Sequence, residues 1–251
     1  ALRDQRVSWP TDDRAAPRQG DRCRAAASRV ASETPDLSDD EDDGTGGDER
    51  DGSKDQKGKK GFAEVKLVGA AFRAGAEFGF RAGDPTQWRL RKALAGGGAM
   101  MDVGIYAIQG ARYSTGEEPI SVTAQEFKTD PVKFKEVDET IFWQMEFPSG
   151  AVSHSATSYA SNMERLFISA ERGWLELRPA YGYGPLKGQT NKGPLELPIV
   201  RHQRAQLEDF CNCIINNTPS DADGYEGKRD MQVIEAIYEA IETGKKVPIR
   251  I

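Results

Sequence analysis

"TIFWQMEFPSGAVSHSATSYA", residues 140 to 160, decides the fold class. In its first half Ile141, Trp143, Met145 and Phe147 alternate with Phe142, Gln144 and Glu146, the two-residue period of a strand with one buried face. "PSG" at 148 to 150 supplies turn residues, and "AVSHSATSYA" then returns in extended form. The pattern predicts an antiparallel hairpin.

Working outward, "ISVTAQEF" (120 to 127) alternates in the same way, and "RLFISA", a turn at "ERG" and "WLEL" read as a second hairpin. Two helical patterns close the chain. Over 202 to 217, Leu207, Phe210, Cys211, Ile214 and Ile215 form an apolar stripe, which places Cys211 in a core. Over 226 to 243 the stripe is Met231, Ile234, Ile237, Tyr238 and Ile241, with Gly244 as C-cap. Upstream, "AEVKLVGAAF" predicts a buried strand, "FRAGAEFGFRAGDPTQW" glycine-rich irregular chain, and "DPTQWRLRKALAGGG" a turn with a short helix ended by glycine. Strand, helices, meander and helices in that order predict an α+β fold, a mainly antiparallel open sheet with helices on one face. The other face, where apolar, predicts a homo-oligomer.

Composition limits both the folded part and its partners. Residues 1 to 60 contain no Ile, Phe, Met or Tyr and are expected to be a disordered, low-complexity segment, leaving 61 to 251 as the folded domain. Within that segment an Arg-bearing stretch gives way to the acidic "DLSDDEDDGTGGDERDGSKDQ". A net charge of −6 argues against a nucleic-acid partner, which needs a clustered positive footprint. No apolar run approaches membrane-spanning length and no export signal is visible, so a membrane is excluded and a cytoplasmic location is expected.

The short motifs mostly fail on chemistry. "DDEDDG" at 39 to 44 has half a calcium loop, but the twelfth position is Arg50 where a bidentate carboxylate is needed. Cys211 and Cys213, two apart on a helix, diverge by roughly 200° and cannot grip one metal. Neither histidine, His154 or His202, has a ligand-spaced partner, so no metal site is predicted. No strand-Gly-x-Ser-x-Gly-helix context supports a serine hydrolase. Gly96, Gly97 and Gly98 follow a helix-like segment, unlike a dinucleotide loop, which follows a buried strand.

One pair remains. Asp102 and Tyr106 are four residues apart on a predicted helix, hence neighbours, with Gly104 removing bulk between them. A phenol beside a carboxylate can bind a sugar hydroxyl and move its proton, provided a nearby Lys or cationic nicotinamide lowers a pKa that is ordinarily about 10. A surface Asp beside a half-buried Tyr would carry the same spacing.

"QWRLRKALAGGGAMMDVGIYAIQGARYSTGEEPISV" closely resembles the corresponding stretch of the Gfo/Idh/MocA family of NAD(P)-dependent sugar oxidoreductases, of the glucose-fructose oxidoreductase type. The resemblance continues through "VDETIFWQMEFPSGAVSHSATSY", "AYGYG", "QRAQLEDF" and "GYEGKRDMQVIEAIYEAIETGKKV", roughly residues 62 to 248. It implies the family's C-terminal α+β domain, which supplies substrate and oligomer contacts. It further implies Tyr106 as the acid-base residue, Asp102 lining the sugar site, Trp88 and Arg89 near a bound NADP or NAD, and Tyr181 and Tyr183 bordering the substrate. The family's N-terminal Rossmann domain, with its glycine-rich loop, and its Glu-Lys-Pro segment have no counterpart here. The chain is therefore expected to be inactive alone, and a non-catalytic oligomerisation or sugar-binding module is the alternative.

Overall fold

The structure is a computed structural model and describes residues 73–171, 173–195, 197, 199–220 and 222–251. The expected disordered segment at 1–60, its calcium-like loop and the strand expected in "AEVKLVGAAF" lie outside these residues.

Among the described residues nine strands form one sheet: β1 (Arg73–Gly79), β2 (Ser121–Phe127), β3 (Thr140–Glu146), β4 (Val152–Ser158), β5 (Met163–Ala170), β6 (Gly173–Leu177), β7 (Gly188–Thr190), β8 (Gly193–Leu195) and β9 (Val247–Pro248). Their spatial order is β8-β7-β6-β5-β1-β4-β3-β2-β9, and every pair is antiparallel except β1 with β4. The deciding hairpin is β3-β4, with Trp143 opposite Ser155 and Phe142 opposite Ala156. Ile141, Trp143, Met145 and Phe147 are all buried, as their alternation predicts.

β1 corrects the expectation of irregular chain over 72–88. It is a central strand, held between β4 and β5 along its whole length. Glycines lower strand propensity, yet here they serve close approach: a Cβ at Gly79 would stand 2.6 Å from the Ser158 carbonyl oxygen. Ala74 and Ala76 point inward and are buried, and pairing on both edges overrides the weak local preference. β7, β8 and β9, of two or three residues each, are too short to show a period and were not foreseen.

Helices cover one face. A 3₁₀ turn (Trp88–Leu90) and α1 (Lys92–Ala95) lead into a π-helical turn (Met100–Gly104) and α2 (Ile105–Thr115), followed much later by α3 (His202–Asn216) and α4 (Gly224–Thr243). Gly244 ends α4 in the left-handed conformation, as predicted, and Gly116 ends α2 in the same way. α2 packs on β1 and α4 on β2, and Ile108, Val233, Ile234 and Ile237 meet the inward residues of the sheet.

The two covering helices are tied by buried charge. Arg112 on α2, 5% exposed, donates from Nη1 to Asp230 Oδ1 at 2.5 Å and pairs with Glu226 Oε1 at 2.8 Å, both on α4. Its Nε reaches Glu118 Oε2 at 2.7 Å, while Gln109 Nε2 donates to Asp230 Oδ2 at 2.7 Å. A buried guanidinium of this kind is tolerated because several carboxylates compensate its desolvation.

α3 departs from expectation. It has no buried residue; Leu207, Phe210, Ile214 and Ile215 are exposed, and so is Cys211, which was expected in a core. The amphipathic period is present, but nothing among the described residues covers the stripe.

Breaking the buried cluster leaves Asp230 with the Gln109 amide but without its counter-charge in a dry site, so Arg112→Met is expected to destabilise the fold by about 3–5 kcal/mol. Arg204→Ala, at an exposed i,i+4 pair with Glu208, is expected to cost less than about 0.5 kcal/mol. Urea unfolding of both variants measures the contrast.

Candidate active site

The site is built on a single buried carboxylate. Asp138 accepts the backbone N–H of Gly98 on Oδ1 and of Met100 on Oδ2, each at 2.8 Å, and the Tyr238 hydroxyl from α4 on Oδ1 at 2.7 Å. It thereby satisfies donors at the start of the π-helical turn, which otherwise lack partners. The glycine run exists for this contact. A Cβ at Gly98 would lie 2.0 Å from the Asp138 carbonyl oxygen, and one at Gly97 would lie 2.5 Å from the Tyr238 hydroxyl.

The π-helical turn carries Asp102. Wide turns of this type are rare and re-aim side chains relative to an α-helix. Gly104 is buried with its Cβ position 3.2 Å from Thr157 Cγ2, so it lets the turn settle on β4, not clearing the surface between Asp102 and Tyr106 as expected.

Asp102 is gripped on one oxygen. Arg89 Nε donates to Oδ2 at 2.9 Å and the Tyr159 hydroxyl donates to the same oxygen at 2.8 Å. Oδ1 takes no hydrogen bond among the described residues. Tyr159, 1% exposed, packs its ring against Phe80 and Phe134. Burial, with Asp102 beside it, pushes its phenol far above the ordinary range, so it is a fixed donor.

Tyr106 follows one turn later, 40% exposed. Its ring meets Phe78 edge-on at 5.3 Å and lies 6.3 Å from Tyr181. Partial burial raises its pKa, and Tyr183, with which it shares a hydrogen bond, and Asp102 push it further the same way. At neutral pH Tyr106 is a proton donor; acting as a base requires added positive charge nearby.

The remaining expected residues divide. Trp88 is half exposed with the Arg89 guanidinium 4.8 Å above its ring, so Arg89 joins Trp88 to Asp102. Tyr183 is exposed beside Tyr106. Tyr181 backs Tyr106 and Phe78 with its ring, but its hydroxyl is buried without a partner, 2.6 Å from where a Cβ on Gly110 would be. That hydroxyl faces α2 and not the exposed side of the pair. Sequence reasoning missed Asp138, Tyr159 and the polar role of Tyr238. Tyr159 was findable, since it continues the inward series Ser153, Ser155, Thr157. Asp138 sits in polar "KEVDET", which carries no periodic signal. Among the described residues no cluster of three potential metal ligands occurs, and no helix is long and apolar enough to cross a membrane.

Subtracting the alkaline absorbance titration of Tyr106→Phe from that of the parent chain is expected to give a phenolate midpoint above the usual value of about 10. A midpoint at or below it would mean that Tyr106 is already an activated base. Gly98→Ala is expected to lower stability by about 1–3 kcal/mol through the displaced Asp138 contact, measured by thermal unfolding.

The fold is similar to that of known proteins. The family model for the GFO/IDH/MocA C-terminal domain matches residues 63–176. Among solved structures, aldose-aldose oxidoreductase from Caulobacter crescentus is similar with a TM-score of 0.69 and 39% identity, covering 73% of this chain and 57% of that one. Levoglucosan dehydrogenase, solved with NADH and levoglucosan, shares the fold at a TM-score of 0.59 and 20% identity, covering 72% of this chain and 59% of that one. D-xylose 1-dehydrogenase [NADP(+)] of Haloarcula marismortui is 29% identical over 176 residues, 65% of this chain and 47% of that protein. The chain thus spans about half the length of the curated relatives it matches. The part of the chain that builds most of the open sheet, residues 63–176, thus matches the C-terminal domain of the GFO/IDH/MocA family.

Proposed function

We propose that this chain is the substrate-side part of an NAD(P)-dependent sugar oxidoreductase of the glucose-fructose oxidoreductase type, with Tyr106 as acid-base residue and Asp102 orienting the reacting hydroxyl. The observation that carries the reading is the Asp102 carboxylate, held on Oδ2 by Arg89 and Tyr159 beside a half-exposed phenol. Rigid gripping of one oxygen leaves the other to accept a hydrogen bond from a sugar hydroxyl in a defined direction.

The described residues fit only one end of the cofactor. Trp88, half exposed and paired with Arg89, offers a flat surface suited to a nicotinamide ring. An oxidised nicotinamide held over Trp88 would supply a hydride acceptor whose ring is positively charged until the hydride arrives. Tyr106, raised by burial as a free phenol, is lowered by such a charge and as phenolate takes the hydroxyl proton while the carbonyl forms. In the reductive direction the neutral phenol returns that proton to the carbonyl oxygen. Tyr183 shares the Tyr106 hydrogen bond and closes the site on its exposed side. Tyr181 shapes the wall through its ring.

The open sheet face supports self-association. Phe127 and Phe142, both about half exposed, meet edge-on at 5.8 Å, and Phe167 stacks on Trp174 at 6.1 Å. Exposed aromatic clusters on a flat sheet are the kind of surface a second copy covers.

Calorimetric titration with xylose and glucose tests the sugar site. Asp102→Asn is expected to weaken binding about tenfold or more, the value of one hydrogen bond to a charged group, and fluorescence titration with NADPH and NADH reports the cofactor. Sugar affinity unchanged by Asp102→Asn and Tyr106→Phe would overturn the reading. Light scattering gives the oligomeric state, for which Phe142→Asp is expected to shift the chain towards monomer.

A further inference from the structure

The loop between β6 and β7 carries Tyr181 and Tyr183 to the candidate site, and few contacts hold it there. Arg178 N–H donates to the Lys187 carbonyl at 2.8 Å and closes the base of the loop. From Pro179 to Leu186 the backbone makes one hydrogen bond among the described residues, from the Tyr181 N–H to Glu164 Oε1 at 3.0 Å. Glu164 lies on β5 directly opposite Phe78 of β1, whose ring meets Tyr106, so the carboxylate stands on the side of the sheet that bears the site. Gly182 lets the chain come this close: a Cβ there would be 3.0 Å from Oε1. Beyond this contact, Tyr181 packs its ring on Phe78 at 5.2 Å, and its hydroxyl ends in the space that Gly110 leaves on α2. Tyr183, two residues on, is exposed and shares a hydrogen bond with Tyr106.

We infer that Glu164 is a positioning residue, a latch that holds the loop so that Tyr183 meets the Tyr106 hydroxyl. It acts through Tyr181 and touches no reacting atom. An ionised acceptor makes a stronger hydrogen bond to a backbone N–H than a neutral one does, which suits a loop that must be ordered by a single such bond. Without it the loop is left to the Tyr181 ring, and a ring fixes a phenol two residues away less closely than a bond on the intervening backbone. The inference rests on the reading of Tyr106 as acid-base residue for its meaning in catalysis, while the latch is a property of the chain alone.

NMR of the full chain with isotope-labelled tyrosine, the Tyr106 signal assigned through Tyr106→Phe, follows that phenol into alkaline solution. Tyr183 raises the Tyr106 pKa, so losing their contact lowers it. Glu164→Ala is expected to lower the Tyr106 midpoint as far as Tyr183→Phe does, and to speed amide exchange at Tyr181 and Gly182 at least about tenfold while β1 and β5 stay protected. Glu164→Gln keeps an acceptor oxygen and removes the charge, and is expected to hold both values near those of the parent chain. A midpoint that Glu164→Ala leaves unchanged overturns the inference. So does an equal drop in Glu164→Ala and Glu164→Gln, since the carboxylate would then act by its charge and not by holding the loop. Should Glu164→Ala lose protection in the sheet, Gly182→Ala, whose methyl crowds Oε1 with the carboxylate retained, is expected to give the lowered midpoint and the faster exchange at Tyr181; unchanged values there overturn the inference as well. Neither readout involves sugar or nicotinamide, so a sugar affinity indifferent to Asp102→Asn and Tyr106→Phe would sink the enzymatic reading and leave the latch standing.

Discussion

The carboxylate of Asp138 is the contact on which the site depends. It joins three parts of the chain that are far apart in sequence: the glycine run at Gly98, the turn before β3 and the α4 helix through Tyr238. Each of its hydrogen bonds is made in a dry environment, where a satisfied group rigidifies and an unsatisfied one is costly. Asp138 therefore fixes where the π-helical turn begins, and with it the direction in which Asp102 leaves the backbone. Burial and Asp138 together raise the Tyr238 pKa, which keeps that hydroxyl a donor across any ordinary pH.

A second level of control acts on Asp102 itself. Arg89 and Tyr159 converge on one oxygen from opposite layers, one a half-exposed cation stacked on Trp88 and the other a buried phenol. The exposed donor lies over the Trp88 ring, whereas the buried one is packed between Phe80 and Phe134. Tyr106 rests on aromatic rings and shares a hydrogen bond with the exposed Tyr183. The pair thus combines a carboxylate held by two donors with a half-exposed phenol.

Sequence reading recovered what repeats and lost what is local. The alternation over 140–147 named the buried face of β3 correctly because one face of that strand is dry along its length. Asp102 and Tyr106 were visible as a pair, since four-residue spacing survives a change from α to π geometry over a single turn. β1 was misread because its strand character comes from its neighbours β4 and β5 and not from its own Gly-Ala composition. Cys211 was misplaced for the opposite reason: the helical stripe was real, but period alone says that a face is apolar, not that anything covers it. The burial of Arg112 depends on carboxylates contributed by α4 and the loop after α2, which no local window contains.

The parallel pairing of β1 with β4 has a consequence for synthesis. Arg73 sits opposite Val152 on one side and Ser169 on the other, so the strand at the centre of the sheet leaves the ribosome roughly 80 residues before its first partner and later still before its second. β2, β3 and β4 can zip together as they emerge, each beside the one just made. β1 cannot, and during that interval it is an early-made ribbon with both edges bare. Its short side chains, Gly75 and Gly79 among them, give it little to stick with while it waits, a property that suits a strand required to arrive first and be seated last.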